Sequence, residues 1–280
     1  MRSNQPGFNS GMPIGVFDSG MGGLTVLRAL EAALPGQSFV YLGDTARLPY
    51  GTKSSVTVQR YALRASRELV NRGVGALVIA CNTASAVALD ALRAEYSDIP
   101  VFGVVEPGAS AACAVANVER VAVFATESTV RGHAYQRALL SLQPQLTVRG
   151  RACQLLVSLA EEGWLDGEVP EATLRAYLAG IIDWQPDVLL LGCTHFPVFR
   201  AALGRILGDK VVLVDSAATT AAEVAQALGP TLGLTPDSAN TLSDTARHRT
   251  LLATDDVARF RRVGNYFLGE TIDEVELVDL

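Results

Sequence analysis

The sequence predicts an α/β protein made of two similar three-layer halves. Each half is a mainly parallel sheet with helices on both faces, and a pseudo-two-fold axis relates the two about a shared cleft. Three observations predict this. Short apolar runs rich in Val and Ile alternate with amphipathic helical patterns, which implies strand–helix–strand crossovers. Strand-like segments of the first half return in the second at a nearly constant offset: Phe124 trails Phe17 by 107 positions, Cys193 trails Cys81 by 112 and Asp215 trails Glu106 by 109. The returning segments also end alike. Residues 76–80 run into Cys81-Asn82-Thr83, and residues 187–192 run into Cys193-Thr194-His195.

Taken in order, residues 1–12 read as a disordered leader. Residues 13–17 form a strand that ends at Asp18-Ser19-Gly20-Met21-Gly22-Gly23, and a helix follows from Leu24. Residues 38–44 are the second strand and lead into the loop Leu48-Pro49-Tyr50-Gly51-Thr52-Lys53-Ser54. A long amphipathic helix spans about 55–72. The first cysteine strand then enters its helix through Asn, Thr and Ser, which are good capping residues. Residues 101–105 are a strand ending at Glu106-Pro107-Gly108. In the second half, residues 121–126 copy 14–19, and Pro197 opens a helix after the second cysteine. Residues 211–215 copy 101–106. A Gly/Pro/Ser-bearing linker covers about 229–240, residues 250–254 form a last strand, and residues 255–268 form a helix started by Thr254 or Asp255.

Composition excludes several classes. The 280 residues carry a net charge of −6, with 49% hydrophobic and 19% charged residues, which is globular and acidic. Nucleic-acid and anionic-membrane partners are therefore not expected. No apolar run approaches the roughly 20 residues needed to span a bilayer. The N-terminus lacks the apolar core of a signal peptide, so a cytoplasmic protein is expected. The histidines His133, His195 and His248 are scattered, and none of the cysteines (Cys81, Cys113, Cys153, Cys193) forms a C-x-x-C pair. No metal is expected. The Asp18–Gly23 loop lacks G-x-G-x-x-G spacing, so no dinucleotide cofactor is expected either.

The chemistry lies at the strand ends. Ligands of open parallel sheets bind beyond the carboxyl ends of the strands. Asp18, Ser19, Cys81, Asn82, Thr126, Cys193, Thr194 and His195 all fall there. A single cysteine after a strand is more often inert packing, and Cys113 and Cys153 are read that way. Two cysteines at matched places are different. If the sheet edges oppose each other, one thiolate and one thiol flank a carbon acid, and a proton removed from one face can be returned to the other. A helix N-terminus at Cys81 is expected to favour the thiolate. Ser19, Asn82, Thr83 and Thr194 suit carboxylates, Asp18 suits an ammonium group or its proton, and His195 is placed to assist Cys193 or to cap a helix.

These segments resemble the glutamate racemase family, within the wider aspartate/glutamate racemase group. The residues that carry the resemblance are Gly15 to Val26, Gly43-Asp44-Thr45-Ala46 with Pro49-Tyr50-Gly51, Ala80 to Ser85, and Leu191 to Pro197. The resemblance implies cofactor-independent interconversion of L- and D-glutamate, which supplies D-glutamate for peptidoglycan. It implies that Cys193 takes the proton of L-glutamate and Cys81 that of D-glutamate. It further implies a substrate held by Asp18, Ser19, Pro49, Tyr50, Gly51, Asn82, Thr83, Thr126, Thr194 and His195. An acidic residue of the family falls on Glu161 or Glu162, of which Glu161 is taken as catalytic. Residues 13–105 plus 214–280 would form one domain and 106–213 the other, in a homodimer. Where relatives often read Cys-Pro, this chain has Cys153-Gln154. Two other readings stand beside this one: an aspartate racemase or another two-cysteine racemase, and a non-catalytic gyrase-binding protein, against which the two titratable thiols argue.

Overall fold

The computed structural model describes residues 8–233 and 248–280. The first seven residues of the expected leader and residues 234–240 of the expected linker lie outside them. The first half contains β1 (Ile14–Asp18), α1 (Leu24–Ala33), β2 (Phe39–Gly43), α2 (Ser55–Asn71), β3 (Ala76–Ile79), α3 (Asn82–Glu95), β4 (Val101–Gly103) and α4 (Val105–Cys113). The second contains β5 (Arg120–Ala125), α5 (Glu127–Arg131), α6 (Ala134–Leu142), β6 (Thr147–Ala152), α7 (Gln154–Glu161), α8 (Glu168–Leu178), β7 (Val188–Gly192), α9 (Arg200–Leu207) and β8 (Val212–Asp215). Then come α10 (Ser216–Leu228), β9 (Arg249–Ala253), α11 (Val257–Leu268) and β10 (Glu276–Leu277).

The strands pair into two sheets, ordered β10-β9-β2-β1-β3-β4 and β6-β5-β7-β8, and every described pairing is parallel. The order β2-β1-β3-β4 recurs as β6-β5-β7-β8, so the strands matched by sequence offset occupy matching places. Side chains alternate across each strand. Ile14, Val16 and Val78 pack on the face covered by α1 and α11, whereas Phe17, Leu77 and Ile79 pack beneath α2 and α3. Likewise Val121, Val123 and Leu190 face α4 and α6, and Phe124, Leu189 and Leu191 face α7, α8 and α9. With both faces covered, the central strands are buried along their whole length, which is why they read as continuous apolar runs.

Several element limits differ from expectation by a residue or more, and two of the differences have a cause in hydrogen bonding. β4 stops at Gly103 rather than Val105, because the Val104 N–H donates to Ser85 Oγ (3.0 Å) and the helix α4 begins at once; Pro107 is tolerated in its first turn. The cap of α11 is Asp256, which accepts from the Arg259 N–H, and not Thr254 or Asp255. Thr254 is engaged elsewhere: its hydroxyl donates to Asp44 Oδ1 (2.9 Å) and accepts from the Ala46 N–H.

The end of β2 is packed to backbone contact. A Cβ placed on Gly43 would stand 2.2 Å from the carbonyl oxygen of Gly20 and 2.9 Å from Phe260 Cε2. A carbonyl fixed in the β1–α1 loop cannot yield as a side chain would. Gly43→Ala is therefore expected to destabilise the protein by about 1–3 kcal/mol, read as a lower midpoint in urea at unchanged slope. An unchanged midpoint would refute the contact.

Candidate active site

The carboxyl ends of β1, β3, β5 and β7 converge on one small cleft. Its wall carries Ser19, Pro49, Tyr50, Gly51, Cys81, Asn82, Thr83, Thr126, Glu161, Cys193, Thr194 and His195, all of them expected from the sequence. Both sulfurs therefore open on one space, and both cysteines are buried. Asp18 stands apart. It is fully buried behind Ser19 and Gly20, with Oδ2 accepting from the Gly20 N–H (2.9 Å), and it does not line the cleft.

The two thiols sit in unlike surroundings. Cys81 precedes α3, and its Sγ–H donates to Ser19 Oγ (3.4 Å). The expected thiolate preference does not hold there. Burial raises the Cys81 thiol and the nearby Asp18 carboxylate raises it further; together they outweigh Ser19 and the Ala84 N–H, so it is pushed up to about 12. Cys193 has a nitrogen partner instead, with Sγ 3.8 Å from His195 Nδ1. The other ring nitrogen, Nε2, lies 3.1 Å from Glu161 Oε1, and Glu161 Oε2 accepts from Arg259 Nη2 at 2.7 Å. Burial alone would lower the imidazole, but hydrogen bonds to Cys193 and Glu161 prevail and lift it to about 10. Burial would raise Glu161, yet His195 and Arg259 hold its carboxyl below the ordinary range. The His195 side chain makes no capping bond, so it serves the sulfur and not the turn that follows.

The remaining wall is polar and tied down. Tyr50 OH donates to Asp44 Oδ2 (2.5 Å), and Arg47 Nη1 and Thr254 Oγ1 both donate to Oδ1, which anchors the loop carrying Pro49 and Gly51. Gly51 meets the second half closely, since a Cβ there would stand 2.8 Å from Thr126 Cβ. Thr83, Thr126 and Thr129 share hydroxyl hydrogen bonds of 3.0 to 3.5 Å. Asn82 Nδ2 donates to Tyr135 OH (2.7 Å), which leaves Asn82 Oδ1 buried without a partner. A buried acceptor of that kind suits a ligand N–H.

Four lining residues lay outside the expectation: Gly20, Leu48, Gln154 and Val157. Gln154, Val157 and Glu161 fall at i, i+3 and i+7 on α7, one helical face, and this spacing is the signal that separates Glu161 from the exposed Glu162. Arg259 carried no such signal, being joined to the site only by the fold. Among the described residues no helix is long and apolar enough to cross a membrane.

Comparison with known proteins gives consistent matches. A family model described as Asp/Glu/Hydantoin racemase matches residues 14–224. A glutamate racemase of Geobacter metallireducens is 49% identical over 267 residues, which cover 95% of this chain and 96% of that protein. The structure of glutamate racemase from Francisella tularensis in complex with D-glutamate superposes with a TM-score of 0.86 at 36% identity, covering 96% of this chain and 98% of that one. The Thermus thermophilus glutamate racemase in complex with β-chloro-D-alanine gives 0.83 at 41% identity, over 97% and 98%.

Proposed function

We propose that this chain, which belongs to the Asp/Glu/hydantoin racemase family, interconverts L- and D-glutamate by proton transfer between Cys81 and Cys193. It is an amino-acid racemase, and glutamate is its substrate. One observation carries the mechanism: two buried thiols from matching strand ends line a single small cleft. With Cys193 as a thiolate beside the His195 imidazolium, and Cys81 as a thiol, the α-proton of L-glutamate passes to Cys193. The carbanion then takes the Cys81 proton from the opposite face. A thiol near 12 is a weak acid in water, yet it is far stronger than an amino-acid α-C–H and can protonate the carbanion. In the reverse direction the two sulfurs exchange states. His195 steadies charge on Cys193, Glu161 holds His195, and Asp18 acts on Cys81 through its charge.

The free Asn82 Oδ1 would receive the substrate ammonium. The hydroxyls of Ser19, Thr83, Thr126 and Thr194, with the first N–H groups of α3, would receive carboxylates. We further propose the domain division 13–105 plus 214–280 and 106–213, supported by the separation of β10-β9-β2-β1-β3-β4 from β6-β5-β7, although its second limit falls inside β8, which pairs with β7. A homodimer, a cytoplasmic location and supply of D-glutamate for peptidoglycan follow from the family resemblance and are proposed on that ground.

The test is incubation of the purified protein with L-glutamate in D₂O, following optical rotation and loss of the α-proton. Both are expected to proceed to the racemate without added cofactor. Turnover of L-aspartate but not of glutamate would overturn the substrate assignment.

A further inference from the structure

We propose that Arg259 is a positioning residue for the Cys193 base, acting through Glu161 and His195 from the opposite half of the molecule. The proposal rests on the racemase reading above. Arg259 lies on α11, which follows β9 of the first sheet, whereas Glu161 ends α7 and His195 follows β7 of the second. The two oxygens of Glu161 are divided between two cations, Oε1 facing His195 Nε2 (3.1 Å) and Oε2 facing Arg259 Nη2 (2.7 Å). A carboxylate held by one partner can rotate about its bond. Held by two, its plane is set, and with it the line along which the imidazole points at the sulfur.

α11 touches the assembly twice. Phe267 on the same helix meets the His195 ring edge-on, with centroids 5.0 Å apart and planes at 76°. The helix is itself fixed at its start, where Asp256 accepts from the Arg259 N–H (3.0 Å). A fully exposed ion pair contributes little to stability. Here the carboxylate is only 13% exposed, and its other oxygen meets a buried imidazole, so orientation is what the pair supplies.

The prediction has a definite sign. The charged and titratable groups facing Glu161 are His195 and Arg259; those facing His195 are Cys193, Glu161 and, through its charge, Asp18, with Cys81 and Tyr50 elsewhere on the cleft wall. Arg259 favours the ionised carboxylate, so its loss moves protonation of Glu161 to higher pH. A protonated Glu161 no longer holds an imidazolium, and the acid limb of the activity profile moves up with it.

The experiment is the pH dependence of kcat/KM for glutamate in wild type, Arg259→Met (which keeps most of the apolar stem), Arg259→Lys and Glu161→Gln. Arg259→Met is expected to lose roughly tenfold and to shift the acid limb to higher pH. Arg259→Lys is expected to recover most of the rate and the wild-type limb, and Glu161→Gln to remove the limb. A limb that stays put in Arg259→Met, whatever the height of the profile, overturns the proposal alone. A wild-type protein that does not racemise glutamate overturns the reading beneath it.

Discussion

Cys81→Ala and Cys193→Ala are each expected to lower racemisation by about 10³-fold or more in both directions, the scale of a lost general acid or base. Both directions must fall together, because the two enantiomers are equal in free energy and share one path. Isotope exchange is expected to separate the variants. Without Cys81, the thiolate of Cys193 still reaches the α-proton of L-glutamate, but no acid waits on the far face. In D₂O the L-isomer then gains deuterium without inverting. Without Cys193, the same holds for D-glutamate. The asymmetry should extend to alkylation of the free enzyme by iodoacetamide, since Cys193 has the His195 nitrogen 3.8 Å away whereas Cys81 is pushed up to about 12. Proton NMR of the α-position together with optical rotation checks the exchange. Racemisation within tenfold of wild type in either variant, or exchange of the same enantiomer by both, would remove the two-base mechanism.

Much of this site was legible because a parallel sheet places chemistry at strand ends. Ser19, Cys81, Thr126 and Cys193 follow β1, β3, β5 and β7, and the repeat offset pairs β1 with β5 and β3 with β7 before any coordinate is known. Other features depend on the third dimension. The ionisation of Cys81 could not be read from its position before α3, because its burial and the charge of Asp18, a residue 63 positions earlier, prevail over the helix start. Arg259 meets Glu161 across 98 positions, through a helix whose apolar spacing announces only its buried face. Thr254 has the chemistry of a helix cap and is spent on Asp44 instead, so the cap moved to Asp256. Local propensity names candidates for each of these roles, and tertiary contacts choose among them.

Gly22→Ala is expected to cost about 10²-fold in kcat while leaving the protein folded. A Cβ on Gly22 would stand 2.5 Å from His195 Cε1, from His195 Nδ1 and from Thr194 Oγ1, each well inside van der Waals contact. The imidazole has little room to retreat, because one nitrogen is held by Glu161, the other faces Cys193 and Phe267 closes one side. Relief must therefore come from turning the ring or from separating the loop after β1 from the turn after β7. That turn is also held from the first half, where the Thr25 hydroxyl donates to the carbonyl oxygen of Thr194 (3.0 Å). Either movement displaces the Cys193 partner by something near an ångström, and misplacements of that size cost about two orders of magnitude in rate. Gly22 is not in the left-handed region, so alanine meets no backbone strain, and the stability loss should stay within the roughly 1–3 kcal/mol of an overpacked site. Gly204→Ala, within α9 and with nothing near its added Cβ, is the matched control and is expected to keep full activity with equal or higher stability. Parallel kcat and melting measurements on the two variants decide the matter. A folded Gly22→Ala enzyme with wild-type kcat would mean that His195 does not need its observed place, and the role given to the Glu161–His195 pair would fall with it.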